Sequence, residues 1–332
     1  MTFENSKVVI TGGAGFIGIN LANSLSEMGA EVIVIDLPSK DFSGLSDGIK
    51  ICKGDIMDQE FLNVTLRDAN YVFHLAAKTD LSGTTIASYK VNFDGTENVI
   101  EAIRENKEIR KFIFFSTQLV VGIFNETRFI NQYEPYRTKT LYGQSKIIGE
   151  KIVKEKCSQY EIPYIIFRPT SVFGPFGKEP YREFFLTIKK RQYFHIGKAN
   201  NLISMVYVKN LVDQIIFLAR VETNETIFFG NDIYPYTMRE FCDEIGKFYN
   251  FKIPTIPYFI TFLAAYCLGF FKLLGINVPL YPFRLRNILA NYCYDIGNSL
   301  KLGFFPKYDM RKSINETLEW YEKNDPSFKL VK

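Results

Sequence analysis

Residues 11–18 read TGGAGFIG, and this glycine-rich run decides the fold class. The residues that lead into it, KVVIT (Lys7–Thr11), read as a buried parallel strand that enters a turn directly. Gly12 allows the tight turn, Gly15 lets the backbone approach a pyrophosphate, and Gly18 permits close packing of a helix on its strand. The run therefore predicts a strand, a phosphate-binding turn and a helix in succession.

A carboxylate follows this turn at the position that a bound dinucleotide requires. The helix predicted from Gly15 to Met28 points the positive end of its dipole at the phosphates. EVIVID (Glu31–Asp36) is the next predicted strand, and its terminal Asp36 would accept hydrogen bonds from the adenosine ribose hydroxyls. Since no arginine follows Asp36, a 2′-phosphate would be repelled, and NAD is favoured over NADP. The alternative is a strand-end aspartate that only caps a turn.

Composition and charge restrict the classes of function. The chain has 332 residues, 47% of them hydrophobic, enough for one large α/β domain with a smaller appended part. A formal net charge of +4 is too small and dispersed to indicate nucleic-acid binding. The five cysteines form no CxxC pair and read as free thiols in a reducing compartment. Two histidines, His74 and His195, are too few for a histidine-bound metal or a serine–histidine triad, so no metal is predicted.

Strands and helices alternate along the first half of the chain, as in a doubly wound parallel sheet of Rossmann type. His74 falls within a predicted strand and is interpreted as a core residue. Further strands are predicted at Ile49–Asp55, Tyr71–Ala77, Lys111–Thr117 and Pro163–Pro169, and helices at Gln59–Arg67, Ile86–Asn106 and Leu141–Gln159. The predicted domains are an NAD-binding domain over 1–170, to which 203–230 returns, and a smaller, mostly helical substrate-binding part over 171–202 and 231–332.

A hydroxyl, a phenol and an ammonium are predicted to meet at the edge of this sheet. Thr117 ends a strand at the carboxyl edge, where ligands of such folds bind. Tyr142 and Lys146, in the run YGQSK, lie one turn apart on one face of a helix. A free tyrosine has a pKa of roughly 10, and the lysine cation together with a positive nicotinamide ring would favour the phenolate. Tyr142 could then remove a proton from a substrate hydroxyl held by Thr117 while hydride leaves the same carbon for the cofactor. The alternative is a solvated tyrosine–lysine pair.

These motifs resemble those of the extended short-chain dehydrogenases/reductases, a superfamily of nucleotide-sugar epimerases, dehydratases and 3β-hydroxysteroid dehydrogenases. The similarity covers nearly the whole chain and is carried by TGGAGFIG, VIVID, GDIMD, HLAA, VNFDGTENV, FFSTQLVVG, YGQSK, RPTSVFGP, VYVKNLV and LGFFPKYDMRKSINETLEWY. It implies that Thr117, Tyr142 and Lys146 are catalytic. The implied NAD-binding residues are Gly12, Gly15, Phe16, Ile17, Gly18, Asp36, Asp55, Ile56, Leu75, Ala76, Ala77, Asn92, Tyr142, Lys146, Pro169 and Val172.

The resemblance is less specific for the substrate. Sugar epimerases usually carry an asparagine near the position of Ser171 and often an arginine at the position of Ile203. The segment 176–197 and the residues from Asp232 onward are rich in aromatics and arginines, a combination that grips a diphosphate and stacks a base. For each arginine, a packed helical cap with surface cations is the alternative. The candidate substrate-binding residues are Thr117, Gln118, Tyr142, Ser171, Arg182, Arg284 and Arg286.

A highly apolar run, YFITFLAAYCLGFFKLLGI (Tyr258–Ile276), bears on localisation. Lys272 interrupts it, and its length is at the short limit for the roughly 20 residues of a spanning helix. A helix that covers the substrate cleft, or one that lies on a membrane surface, is favoured over a spanning helix. The N-terminus enters a strand without a charged and then apolar leader, so we expect a cytoplasmic protein, with peripheral contact at the inner membrane face as a further option.

The expected activity is that of an NAD-dependent nucleotide-sugar epimerase, acting at C4 through a transient keto-sugar in the synthesis of surface polysaccharide or glycan precursors. The alternatives are a keto-sugar reductase or dehydrogenase, a 3β-hydroxysteroid-type dehydrogenase, and a noncatalytic NAD-binding protein. A dehydratase is disfavoured because Gln118 and Leu119 stand where that class has an acidic pair. Helices like those at 86–106 and 141–159 pair two subunits in the superfamily, so a homodimer is expected.

Overall fold

The chain forms an α/β fold in the computed structural model, which describes residues 3–122, 128–273 and 281–329 and omits the side chains of residues 270–273, 283, 284 and 287. The strands, in chain order, are β1 (Lys7–Thr11), β2 (Glu31–Asp36), β3 (Lys50–Lys53), β4 (Tyr71–His74), β5 (Lys111–Phe115), β6 (Tyr164–Pro169), β7 (Ser171–Phe173), β8 (His195–Ile196), β9 (Leu202–Ile203), β10 (Met205–Tyr207), β11 (Ile227–Gly230), β12 (Tyr236–Thr237) and β13 (Thr255–Ile256). The helices are α1 (Phe16–Glu27), α2 (Gln59–Thr65), α3 (Asp94–Ile103), α4 (Leu141–Gln159), α5 (Tyr181–Lys189), α6 (Val208–Arg220), α7 (Met238–Phe248), α8 (Tyr258–Leu273), α9 (Pro282–Ile288), α10 (Gly297–Lys301), α11 (Met310–Asn324) and α12 (Pro326–Lys329). Short 3₁₀ helices cover Ile86–Asn92 and Gln118–Val120.

Within the described ranges, seven strands form one parallel sheet in the order β11-β6-β5-β4-β1-β2-β3. The chain builds the sheet outward from β1, first through β2 and β3 and then on the other side through β4, β5 and β6. The direction of growth therefore reverses between β1 and β4. Ligands of open α/β sheets bind outside the carboxyl ends of the strands at such a point. The predicted doubly wound parallel sheet of Rossmann type is confirmed.

Both faces of the sheet are covered, because successive strand residues point to opposite sides. In β1, Val8 and Ile10 belong to the core shared with α1 and α6, whereas Val9 belongs to the core shared with α2, α3 and α4. All three valine and isoleucine side chains are fully buried. Because the sheet is packed on both faces, the residues that follow the carboxyl end of each strand are held in defined positions.

Some predicted elements match the structure residue for residue, several strands and helices are shorter than predicted, and one predicted helix is divided. Strands β1 and β2 and helix α4 have the predicted limits. The single helix predicted over Ile86–Asn106 is wrong, because a 3₁₀ helix ends at Asn92 and α3 begins only at Asp94. Phe93, between them, has φ −124° and ψ −48°, which no α-helix accommodates. The buried Asn92 side chain, bonded to residues far away in sequence, accompanies this break.

The C-terminal part packs on the sheet through an aromatic cluster. Phe173 of β7 lies 6.0 Å from Phe185 of α5 and 5.2 Å from Phe241 of α7, measured between ring centroids. Tyr321 of α11 lies 5.9 Å from Phe185. These four rings belong to the same hydrophobic core as Val8 of β1. The smaller C-terminal region is therefore attached through continuous packing.

Helix α8 leaves several apolar side chains exposed to solvent. Phe259 is 69% exposed and Leu263 is 64% exposed. None of the helices in the described ranges is long and apolar enough to cross a membrane.

Candidate active site

The glycine turn between β1 and α1 has no room for side chains. Gly12 has φ +71°, and a Cβ built there would lie 2.6 Å from the backbone nitrogen of Ala76. A Cβ on Gly18 would lie 2.5 Å from the carbonyl oxygen of Gly12. Gly15 caps α1, whose first residues are Phe16 and Ile17, so the helix N-terminus opens directly onto the turn. Unfilled backbone at a helix N-terminus fits a pyrophosphate, and the residues present therefore fit a dinucleotide.

Asp36 lies beside the glycine turn. One carboxylate oxygen accepts the backbone N–H of Ala14 at 3.1 Å, and the other accepts that of Leu37 at 2.9 Å. Each carboxylate oxygen can accept more than one hydrogen bond, so the group retains capacity for ribose hydroxyls. Asp36 therefore anchors the turn and remains able to bind an adenosine ribose.

The other residues implied to contact NAD follow the carboxyl ends of neighbouring strands. After β4, the N–H of Leu75 donates to the carbonyl of Thr11 at 2.9 Å, which brings that segment against the glycine turn. His74, just before it, is buried between the hydroxyls of Thr11 and Thr96, in agreement with a core role. The segments at this edge contain Asp55, Ile56, Leu75, Ala76, Ala77, Pro169 and Val172. A dinucleotide lying along the edge would pass each of them in turn.

Asn92 is held by hydrogen bonds within the protein. Its side-chain oxygen accepts the N–H of Lys78 at 2.7 Å, and its amide nitrogen donates to the carbonyl of Lys78 and to the hydroxyl of Ser145, each at 2.9 Å. The side chain has no exposed surface. Asn92 thus ties the segment after β4 to α4, and its implied contact with the cofactor stays a prediction.

Tyr142 stands in the first turn of α4. The helix begins there because the Thr140 hydroxyl accepts the N–H of Gly143 at 3.0 Å. Tyr142 is only 9% exposed, and its ring centroid lies 6.3 Å from that of Tyr89. Burial raises the pKa of the Tyr142 phenol well above its ordinary value, and Tyr89 adds to this effect. The groups of the protein alone therefore favour the neutral phenol, and the predicted phenolate needs the positive nicotinamide ring as well.

Lys146 is one helical turn further on and is 2% exposed. Its ammonium donates to the carbonyl of Phe115 at 2.8 Å and lies 4.8 Å from the ring centroid of Phe114. Burial lowers the pKa of Lys146 to about 7, although the carboxylate of Glu150 opposes the shift. The lysine can thus gain or lose its proton near neutral pH. A bound oxidised nicotinamide would add the positive charge that a phenolate at Tyr142 needs.

Thr117 follows β5, at the strand end to which Lys146 is bonded. Its hydroxyl oxygen accepts the N–H of Leu119 at 3.3 Å, which leaves the hydroxyl proton free for donation. The bond from Lys146 to Phe115 holds α4 across the end of β5, two residues before Thr117. Next in the chain, the side-chain oxygen of Gln118 is buried without a hydrogen-bond partner in the described parts of the chain. It is an acceptor suited to a substrate hydroxyl.

A buried charged network behind these residues was not predicted from the sequence. Arg168 of β6 forms two hydrogen bonds to the carboxylate of Glu150, at 2.8 and 2.6 Å. Ser116 and Tyr136 donate to the same carboxylate at 2.5 and 2.8 Å. Two sequence signals could have indicated it: Glu150 follows Lys146 by four residues on one helix face, and Arg168 is a charge within an apolar strand. Because Ser116 adjoins Thr117, the network connects the catalytic turn of α4 to the end of β5.

The arginines proposed for substrate binding lie in other settings. Arg182 of α5 makes ion pairs with Glu179, Glu183 and Asp325, and it holds the pKa of Asp325 down to about 2. These contacts join α5 to the segment after α11, and the role of Arg182 in substrate binding stays a prediction. Arg286 of α9 is exposed, and the side chain of Arg284 lies outside the described residues. Ser171 is half-buried at the start of β7.

Comparisons with known proteins agree with this site. Residues 8–229 match the model of the NAD dependent epimerase/dehydratase family. The chain is 26% identical to N-acetyl-alpha-D-glucosaminyl-diphospho-ditrans,octacis-undecaprenol 4-epimerase of Escherichia coli O157:H7, with 95% of each chain covered. It is 25% identical to a 3-beta-hydroxysteroid dehydrogenase of Mycolicibacterium neoaurum, over 95% of this chain and 91% of that protein.

A solved structure gives the same fold. UDP-N-acetylglucosamine 4-epimerase from Methanobrevibacter ruminantium M1, in complex with UDP-N-acetylmuramic acid, superposes with a TM-score of 0.78 at 24% identity, over 96% of this chain and 99% of the other. This likeness supports the architecture and not the substrate. The family match covers the glycine turn, Thr117, Tyr142 and Lys146 together. The chain therefore belongs to the NAD-dependent epimerase/dehydratase family of extended short-chain dehydrogenases/reductases, and it is an enzyme with NAD as its cofactor.

Proposed function

We propose that this enzyme is a sugar 4-epimerase that oxidises C4 of a diphosphate-linked sugar and returns the hydride to the opposite face. The observation that carries the proposal is the position of Thr117, Tyr142 and Lys146 around the carboxyl end of β5, next to a turn that fits a dinucleotide. A nucleotide sugar is the substrate class we favour, with a role in surface polysaccharide or glycan precursor synthesis.

Each residue has a task in this proposal. Thr117 donates to the C4 hydroxyl and Tyr142 removes its proton. NAD, held by the glycine turn and Asp36, would supply the hydride acceptor for the C4–H bond. Lys146 and the oxidised nicotinamide stabilise the phenolate that accepts the proton. In the second half of the reaction the C4–H bond reforms on the other face of the ring, and Tyr142 returns the proton to the C4 oxygen. No NADH accumulates, because the hydride taken from one epimer is given to the other.

A polyprenyl-diphosphate sugar is the second candidate substrate. The exposed apolar side chains of α8 favour it, since a lipid carrier brings the sugar to a hydrophobic surface. The Escherichia coli relative acts on an undecaprenol-linked sugar. Ile203, buried at 6%, also supplies no guanidinium where many nucleotide-sugar epimerases have one. Both candidate substrates contain a sugar diphosphate. They differ in the group that carries it, which is a nucleoside in one and a polyprenyl chain in the other.

One assay distinguishes these substrates. Purified enzyme is incubated with NAD and with UDP-, dTDP- and GDP-sugars and an undecaprenyl-diphosphate-linked N-acetylhexosamine in detergent. The sugars are released from their carriers and resolved by chromatography. The absorbance of NADH is followed in the same reaction. A C4 epimer without accumulated NADH supports the proposal and identifies the carrier. Stoichiometric NADH would instead assign a dehydrogenase, including the hydroxysteroid type, which is tested with sterols in the same assay.

A further inference from the structure

The exposed side chains of α8 form one continuous apolar face. Thr261 and Ala265, which are 3% and 0% exposed, lie one turn apart on the opposite side, and α8 packs against α9. Exposed apolar residues scattered singly need no explanation, but a contiguous patch marks an interaction surface. The residues of this face are Tyr258, Phe259, Ile260, Phe262, Leu263 and Tyr266, with exposed fractions between 42% and 69%.

The stretch of sequence that contains α8 carries charge of one sign, and of its basic residues Lys247 is paired with Glu244, just before the stretch. From Ile245 to Tyr294 the sequence has five basic residues and no aspartate or glutamate, although the whole chain contains 36 acidic residues. The basic residues are Lys247, Lys252, Lys272, Arg284 and Arg286. Lys198 joins them in space, because it lines a cavity together with Tyr258 at the start of α8 and is itself exposed. An apolar helix flanked by cations matches an anionic lipid surface in both hydrophobicity and charge.

We propose that α8 is a membrane-surface helix that inserts its apolar face into the headgroup and acyl boundary of an anionic bilayer. Phe259 and Leu263 enter the acyl region, and the exposed Lys198, Lys252 and Arg286 supply cations for the lipid phosphates. Tyr258 and Tyr266 suit the interface, where a ring with a polar end is partly wet. Since α8 does not span, the binding is peripheral and reversible.

The charge pattern argues against a second copy of the chain as the occupant. A symmetric interface places the same patch of both subunits together. Two such faces would bring like charges into proximity, which is unfavourable. An anionic bilayer neutralises the same cations. The inference does not depend on the proposed substrate, because it concerns binding to lipid in the absence of any sugar.

Vesicle flotation tests the proposal directly. The full chain is mixed with phosphatidylcholine vesicles, with or without phosphatidylglycerol, and centrifuged through a density gradient. We expect flotation with the anionic vesicles, weaker flotation with neutral ones, and release by added salt. The double variant Phe259→Asp, Leu263→Asp should lower the bound fraction about tenfold or more, because two inserted side chains are lost. Val64→Asp is the matched control, since Val64 on α2 is 69% exposed, like Phe259, and should bind as the wild type does.

A fluorescent label on Cys267 tests the site of insertion. Cys267 is the exposed cysteine among those in the described residues, and Cys52 is half-buried, so the label is placed in a Cys52→Ser background. A polarity-sensitive dye on Cys267 should shift to the blue when anionic vesicles are added. NAD binding and the thermal midpoint of each variant confirm that it is folded.

Three results would overturn the proposal: a wild type that does not bind anionic vesicles, a double variant that binds them equally well, or a Cys267 label that does not shift. A dimer in light scattering that the Phe259→Asp, Leu263→Asp variant abolishes, without vesicle binding by the wild type, would assign the face to a second copy instead.

Discussion

Tyr142 and Lys146 lie one turn apart on α4, and burial shifts their pKa values in opposite directions. The phenol becomes harder to ionise and the ammonium becomes easier to deprotonate, so the protein alone favours a neutral Tyr142 and lets Lys146 exchange its proton near neutral pH. The positive charge of the oxidised cofactor then decides whether the phenolate forms. Proton abstraction is in this way coupled to a cofactor that is ready to accept hydride.

Tyr142→Phe removes the proton acceptor and little else. We expect kcat to fall by about a hundredfold to ten-thousandfold, the usual contribution of a positioned acid or base. The NAD dissociation constant should change only a few-fold, because the glycine turn and Asp36 are intact. Tyr160→Phe at the end of the same helix is the control, since its hydroxyl bonds to Glu101 away from the site. A Tyr142→Phe variant with wild-type turnover would contradict the assigned role.

Lys146→Met should abolish turnover and stabilise the fold in a pH-dependent way. The folded pKa of about 7 lies below the ordinary value of 10.5, so wild-type stability is lost as the pH falls across that interval. The stability gained by the variant should therefore be about 2 kcal/mol larger at pH 7 than at pH 9. Urea unfolding at both pH values measures the difference. Lys151→Met, at an exposed position of α4, should show no such pH dependence; an equal response of the two variants would refute the buried-ammonium account.

At the scale of single elements, the glycine turn allows a controlled comparison. Gly12 and Gly48 both have positive φ, but a Cβ at Gly12 meets backbone at 2.6 Å whereas one at Gly48 meets nothing within 4 Å. Gly48→Ala should cost about 1 kcal/mol from backbone strain alone. Gly12→Ala should lower the free energy of unfolding several times more than Gly48→Ala does, and it should abolish NAD binding. Chemical unfolding and cofactor titration measure the two effects. Equal losses of stability in the two variants, or retained NAD affinity in Gly12→Ala, would show that the glycine turn does not bind the dinucleotide as proposed.

The connection between α4 and β6 can be tested through the buried ion pair. Arg168→Met leaves the Glu150 carboxylate buried without its partner, which typically costs about 3–5 kcal/mol. Arg104→Met, in an ion pair with 52% side-chain exposure, should cost at most about 1 kcal/mol. Chemical denaturation of both variants gives the comparison. A mild effect at Arg168 would mean that the pair is not needed to hold α4 against the sheet.

The same elements show what the sequence could predict. Strand β1, strand β2 and helix α4 were predictable because their limits follow from local signals: apolar runs, the glycine turn and the Thr140 cap. The break at Asn92 was not, because its partners Lys78 and Ser145 are 14 and 53 residues away. The ion pair of Arg182 with Asp325 was not predictable for a similar reason, since Asp325 is 143 residues distant. The spacing predicts Thr117, Tyr142 and Lys146 as candidate catalytic residues, but the pKa shifts of Tyr142 and Lys146 depend on burial, which spacing does not report.

At the scale of the whole molecule, we expect two chains to associate through α3 and α4. These helices pack side by side, and Lys156 of α4 joins Glu97 and Glu101 of α3. Light scattering should give about twice the chain mass of 38.4 kDa. A monomer at micromolar concentration would contradict the prediction.

The central claim is that hydride leaves C4 and returns to the same carbon of the sugar. The most direct measurement uses a diphosphate-linked sugar carrying deuterium at C4, incubated with the enzyme and NAD, with the products analysed by mass spectrometry. The account predicts a C4 epimer that retains the deuterium, without accumulation of NADH. Deuterium transferred permanently to NADH with an oxidised product, or lost to solvent during epimerisation, would contradict it.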